Sequence, residues 1–147
     1  MRLLAPALAC GLALSVGTGC SGDPQADYCE AVEEHQVELS EIAASDDAGS
    51  LFDALPVYDD LAEEAPDDIA GQWGEVIGPL RALEEALDEA GVDPSSYDAE
   101  APPADLDQED REDIEAAARH VGSERTVTAM AAVEQHALDV CGTPLSR

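Results

Sequence analysis

From Asp27 onward, apolar and polar positions recur at helical spacing. Tyr28, Val32, His35, Leu39 and Ile42 step by four, three, four and three, which is one stripe of an amphipathic helix. Asp27 followed by Glu30 reads as a capping-box start, so the first helix is expected over 27–44, ended by Ser45-Asp46-Asp47 and Gly49. Ser50 can cap a second helix carrying Leu51, Phe52, Leu55, Tyr58, Leu61 and Ala62. Pro56 either kinks this helix or opens its main part, and Pro66 closes it.

The third segment, from Asp67 or Asp68, holds the clearest repeat in the chain. Ile69, Trp73, Val76, Leu80, Leu83 and Leu87 step by four, three, four, three and four up to the stop at Gly91. Gly71, Gly74, Gly78 and Pro79 weaken its first half and predict a bend near Gly78-Pro79. Trp73 reads as a core anchor rather than a platform for stacking a ligand. The stretch VDPSSYDAEAPPA over 92–104 has no periodicity and reads as a mobile loop. A fourth helix over 105–121 starts with acidic residues, which suits the positive end of its dipole, and presents Ile114, Ala117, Ala118 and Val121. Gly122 ends it, and Ser123 caps a last helix over 124–140 with Met130, Val133, Ala137 and Val140 on one side. The fourth and fifth segments read either as one bent helix or as two. The pattern as a whole predicts an all-α fold, an up-down bundle of four to five helices.

The beginning of the chain is different. One Arg at position 2 precedes the apolar run LLAPALACGLALSV, then Gly17, Thr18 and Gly19 lead to Cys20. The run is shorter than the roughly 20 apolar residues that span a bilayer, and it has the three regions of an export signal. Its end resembles a bacterial lipobox, the site where a prolipoprotein is acylated on its Cys and cut just before it. Thr18-Gly19-Cys20 carries that likeness, while Gly17 stands where the motif usually has Leu. The resemblance implies a signal peptide over 1–19 and a lipidated Cys20 followed by a polar tether to residue 26. The helical domain then occupies 27–147, held at the cell membrane on its extracytoplasmic face through the acyl chains. The alternative is plain secretion, which would leave Cys20 as a free thiol outside the cell. Cys10 is a poorer lipidation site because it lies too close to Arg2.

Four cysteines allow three pairings. With Cys10 removed in the leader and Cys20 acylated, Cys29 and Cys141 remain, and an exported compartment permits their bond. That disulfide would join the first turn of the first helix to the end of the last, placing the two side by side and antiparallel.

Charge narrows the partners. The chain carries 34 acidic and 6 basic residues, a formal net charge of −28. Every basic side chain is Arg, which with the load of Ala, Asp and Gly reads as the codon bias of a GC-rich genome. Such a field repels phosphates, so nucleic acid is excluded as a partner, whereas a basic protein partner or a cation is not. Aromatic content of 3% with abundant Ala, Leu and Glu agrees with closely packed helices.

The sequence offers no catalytic constellation. His35 lies on the first apolar stripe, and His120 and His136 fall on different helices without a zinc-binding spacing. In DLDQEDREDIEA, Asp105, Asp107 and Glu109 match alternating calcium-ligand positions. Asp110 stands where the loop needs Gly, however, and Ala116 stands where it needs Glu. No nucleophile elbow or phosphate loop occurs. The reading is non-enzymatic, with no cofactor and no defined metal site. Loose cation binding by the start of the fourth helix, or by Asp59, Asp60, Glu63, Glu64, Asp67 and Asp68, stays open. A hydrolase would require a concave site around Trp73 or His35.

Cys20 in its lipobox-like setting, DYCEAVEEH opening the first helix and LDVCG closing the last together resemble small actinobacterial lipoproteins with a helical domain and one terminal disulfide. That group is largely uncharacterised, so the resemblance implies location and fold and carries no activity. Two functions follow as expectations. The first is an envelope-anchored domain that binds a protein partner or helps maintain the envelope, and the second is an envelope binder of cations or a small ligand.

Overall fold

The computed structural model describes residues 22–47, 49–98 and 101–147. Among them the chain is all helical: α1 (Pro24–Ala43), the short α2 (Ser50–Asp53), α3 (Leu55–Glu64), α4 (Asp67–Glu89), α5 (Gln108–Val121) and α6 (Glu124–His136). A 3-10 turn spans Pro94–Ser96, and a wide π turn, Ala137–Cys141, extends α6 to its end. The five longer helices form the expected bundle, and a disulfide joins the first to the last.

α1 starts ahead of the expected Asp27. Asp23 caps it by accepting the Gln25 amide at 3.1 Å, and Pro24 fills a first-turn position where no amide is needed. That start is stronger than the Asp27–Glu30 box, and Asp27 instead supplies a negative charge to the first turn. Pro56 likewise sits in the first turn of α3 and opens it. Pro79, by contrast, lies inside α4, which continues through it. α4 ends in a Schellman motif: Gly91 takes φ +69°, the Val92 amide bonds the Leu87 carbonyl at 2.8 Å, and the Gly91 amide bonds the Asp88 carbonyl at 3.0 Å. Ser123 accepts the Thr126 amide and separates α5 from α6, so these are two helices.

α4 is the central element, packing against α3, α5 and α6. All six residues of its predicted stripe are buried, with Ile77 added. Trp73, Tyr28, Leu61, Leu87, Ile114, Val32 and Val133 are the largest side chains closed to solvent. α1 packs along α3 and meets the last helix through that helix's terminal π turn. The antiparallel pairing expected of first and last helices is therefore confined to the end where the disulfide sits.

Shortly after α4, residues 93–96 form a hydrogen-bonded turn packed against the start of α2. Gly49 lies so close to Ser95 that an added Cβ would meet the Ser95 backbone at 2.4 Å. Asp93 accepts hydrogen bonds from the Ser95 amide at 2.9 Å and the Ser95 hydroxyl at 2.7 Å, which fixes the 3-10 turn. Those bonds hold the Asp93 carboxyl below its ordinary pKa. At the other end of the chain the tail folds back on α1. Gln36 donates to the Pro144 carbonyl at 2.6 Å, Leu145 is buried, and the Arg147 amide donates to Ser40 Oγ at 3.0 Å.

Candidate functional site

Trp73, Tyr28 and Tyr58 come together with His136 in the bundle. Trp73 of α4 donates its indole N–H to the Tyr28 hydroxyl of α1 at 3.3 Å, and both side chains are fully buried. Tyr58 of α3 packs on Trp73 with ring centroids 5.4 Å apart, and His136 meets the Tyr28 ring edge-on at 5.6 Å. Burial pushes the Tyr28 phenol up, partly offset by the Trp73 hydrogen bond. With its ring closed to solvent and its N–H engaged, Trp73 is the core anchor that its spacing predicts.

Two of the three histidines face carboxylates of other helices. His35 Nε2 lies 3.7 Å from Asp60 of α3, and its Nδ1 lies 3.6 Å from Glu38. His136 Nε2 lies 3.5 Å from Asp68 of α4, while its Nδ1 is closed to solvent without a hydrogen bond. His120, at the end of α5, is exposed, and its carbonyl accepts the Thr126 hydroxyl at 2.9 Å. The three histidines are thus kept apart. Among the described residues no three His, Cys, Asp or Glu side chains converge as a metal set.

The acidic stretches have structural partners too. Asp59 pairs with Arg81, Asp60 with His35 and Asp68 with His136, so this patch binds α3 and α4 to their neighbours. Asp107 caps α5 by accepting the Asp110 amide at 3.0 Å. With Asp93, Asp105 and Asp110 it borders a polar hollow between the end of α4 and the start of α5.

Cys29 and Cys141 are bonded, with Cα atoms 5.2 Å apart and a sequence separation of 112. Cys10 and Cys20, and with them the expected leader and the expected lipidation site, lie outside the described residues. No described helix is long and apolar enough to cross a membrane.

One apolar-walled groove is not foreshadowed by the sequence pattern. A groove of about 360 Å³ opens where the end of α1, α2, α3, α6 and the C-terminal tail meet. Leu39, Ile42, Leu51, Tyr58, Met130 and Leu145 supply its apolar walls, and Glu134 adds a carboxylate. The Tyr58 phenol is pushed up first by burial and then by the Glu134 charge. Met130 belonged to a recognised stripe, but nothing local in the sequence places it opposite Leu51 or Leu145. Gln36 was missed for the same reason: its partner, Pro144, lies 108 positions away.

Comparison of the chain with protein families, with curated proteins and with solved structures finds no match.

Proposed function

We propose that this chain is an extracytoplasmic lipoprotein whose helical domain serves as a non-enzymatic interaction module at the cell envelope. The observation that carries the reading is the Cys29–Cys141 disulfide, which closes the two ends of the domain on each other. Such bonds persist in oxidising compartments outside the cytoplasm. It agrees with the lipobox-like Thr18-Gly19-Cys20, where acyl chains would hold the domain at the membrane surface. Interaction rather than catalysis is supported by how the polar side chains are spent. His35, His136, Asp59, Asp60 and Asp68 link one helix to another, while the groove offers apolar surface with one carboxylate.

Mass spectrometry of the mature N-terminus tests the anchor. An acylated Cys20 is expected, and a free Cys20 thiol or cleavage elsewhere would remove the membrane attachment from the proposal. Crosslinking in intact cells tests the module, with a discrete protein adduct expected. A large, saturable rise in melting temperature with calcium or a transition metal, without such an adduct, would favour the cation-binding alternative.

A further inference from the structure

The groove at the end of the bundle carries surface that the fold leaves uncovered. Leu51 remains 40% exposed at its edge, and Tyr58 and Met130 are half-buried in its walls. Glu134 is the one charged side chain in the lining, and among the described residues no cation pairs with it. Arg81, Arg119 and Arg125 already face Asp59, Glu115 and Glu75. Glu41, Asp46 and Asp53, all exposed, adjoin the lining residues Ile42, Ser45 and Ala54 in sequence and add acidic charge to these stretches. Arg147, also exposed, adjoins the lining residue Ser146 in sequence.

This charge pattern selects the occupant. A neutral apolar segment laid over the groove would bury Glu134 without a counter-charge, at a desolvation cost. An acidic segment, or a second copy of this chain with its net charge of −28, would meet like charge. A small inorganic cation would satisfy Glu134 and leave the apolar walls wet. An occupant that combines an apolar face with a cation covers the walls and pairs the carboxylate.

Resting on the interaction-module reading, we infer that the groove receives a basic amphipathic segment of a partner protein. The segment seats an apolar side chain against Leu51, Tyr58 and Met130 and directs an Arg or Lys at Glu134. Surface burial supplies affinity, and the charge pair supplies selection.

Panning a random peptide library over the immobilised oxidised protein tests this. Enriched sequences are expected to combine Leu, Ile, Phe or Met with Arg or Lys, and the corresponding synthetic peptides to bind saturably with one site per chain. Ala43→Trp places an indole into the groove from an exposed position and should abolish binding. Glu134→Gln should weaken binding about fivefold. Circular dichroism and melting curves should show both variants folded. Absent enrichment, enriched peptides without a basic residue, binding that survives Ala43→Trp, or affinity unchanged by Glu134→Gln would each overturn the inference. Protein crosslinks in intact cells that survive Ala43→Trp would leave the module standing and remove the groove from it. Absence of both crosslinks and peptide binding in the unmodified protein would remove both.

Discussion

Trp73 and Tyr28 share a hydrogen bond of 3.3 Å inside a region closed to solvent, so α1 and α4 are joined by a polar contact at the centre of the core. The bond satisfies the indole donor, which would otherwise be buried without a partner. Tyr28→Phe keeps the ring and its edge contact with His136 but orphans that donor, at an expected cost of about 1–3 kcal/mol. Urea unfolding followed through Trp73, the one tryptophan of the chain, measures it. A loss under about 0.5 kcal/mol would mean that the hydrogen bond contributes nothing net.

The disulfide closes a loop spanning nearly the whole described domain, its cysteines separated by 112 in sequence. Constraint of the unfolded chain by a loop of this size is worth about 4.7 kcal/mol by chain entropy, and removal of native bonds typically costs about 2–5 kcal/mol. Cys29→Ala with Cys141→Ala is expected to lower stability within that range. Reductant should then change the melting temperature of the unmodified protein and leave the double variant unaffected. Equal melting temperatures for both proteins without reductant would contradict the assignment of a stabilising role.

Much of this fold is readable where the period is long and local. The α4 stripe from Ile69 to Leu87 names six buried residues correctly because one helix face is determined by residues on that same helix. The Cys29–Cys141 pair follows once Cys10 is assigned to the expected leader and Cys20 to acylation. What is not local is not readable in this way. Gln36 occupies a core position that looks polar until Pro144 returns to accept its amide. The groove exists only because Leu39, Tyr58, Met130 and Leu145, drawn from four separate stretches, arrive at one place. The start of α1 was legible but misjudged, since Asp23-Pro24 outcompetes the capping box that follows it.

Helix α4 carries glycines whose replacement separates backbone cost from packing. Added Cβ atoms at Gly71 and Gly74 would meet nothing within 4 Å, so each Gly→Ala change should stabilise the protein by about 0.5–1 kcal/mol. Gly78 also faces open space, but it precedes Pro79. A Cβ immediately before proline crowds the ring when the backbone is helical, so Gly78→Ala should gain less than the other two. Thermal unfolding of the three single variants tests the ordering. A Gly78→Ala gain equal to that of Gly71→Ala would show that the Pro79 restriction is relieved in this helix.

Alkaline pH should destabilise the domain through its tyrosines. Burial is the largest cause raising the pKa of Tyr28, Tyr58 and Tyr97 above 10.0, with Glu134 adding to it for Tyr58, and Glu115 and Asp98 for Tyr97. A raised folded-state pKa means that the native protein holds its phenol protons after the unfolded chain has begun to release them. The associated stability is therefore complete below 10.0 and is lost as pH rises through the folded-state values. Tyrosinate absorbance of the folded protein should lag behind that of the urea-unfolded chain, and unfolding free energy should fall above pH about 10. Tyr58→Phe should flatten that decline, because it removes a phenol disfavoured from ionising by both burial and the nearby Glu134 carboxylate. Glu134→Gln should lower the Tyr58 midpoint while leaving Tyr28 and Tyr97 where they are. Coincident titration of folded and unfolded protein would refute the burial of these phenols in solution.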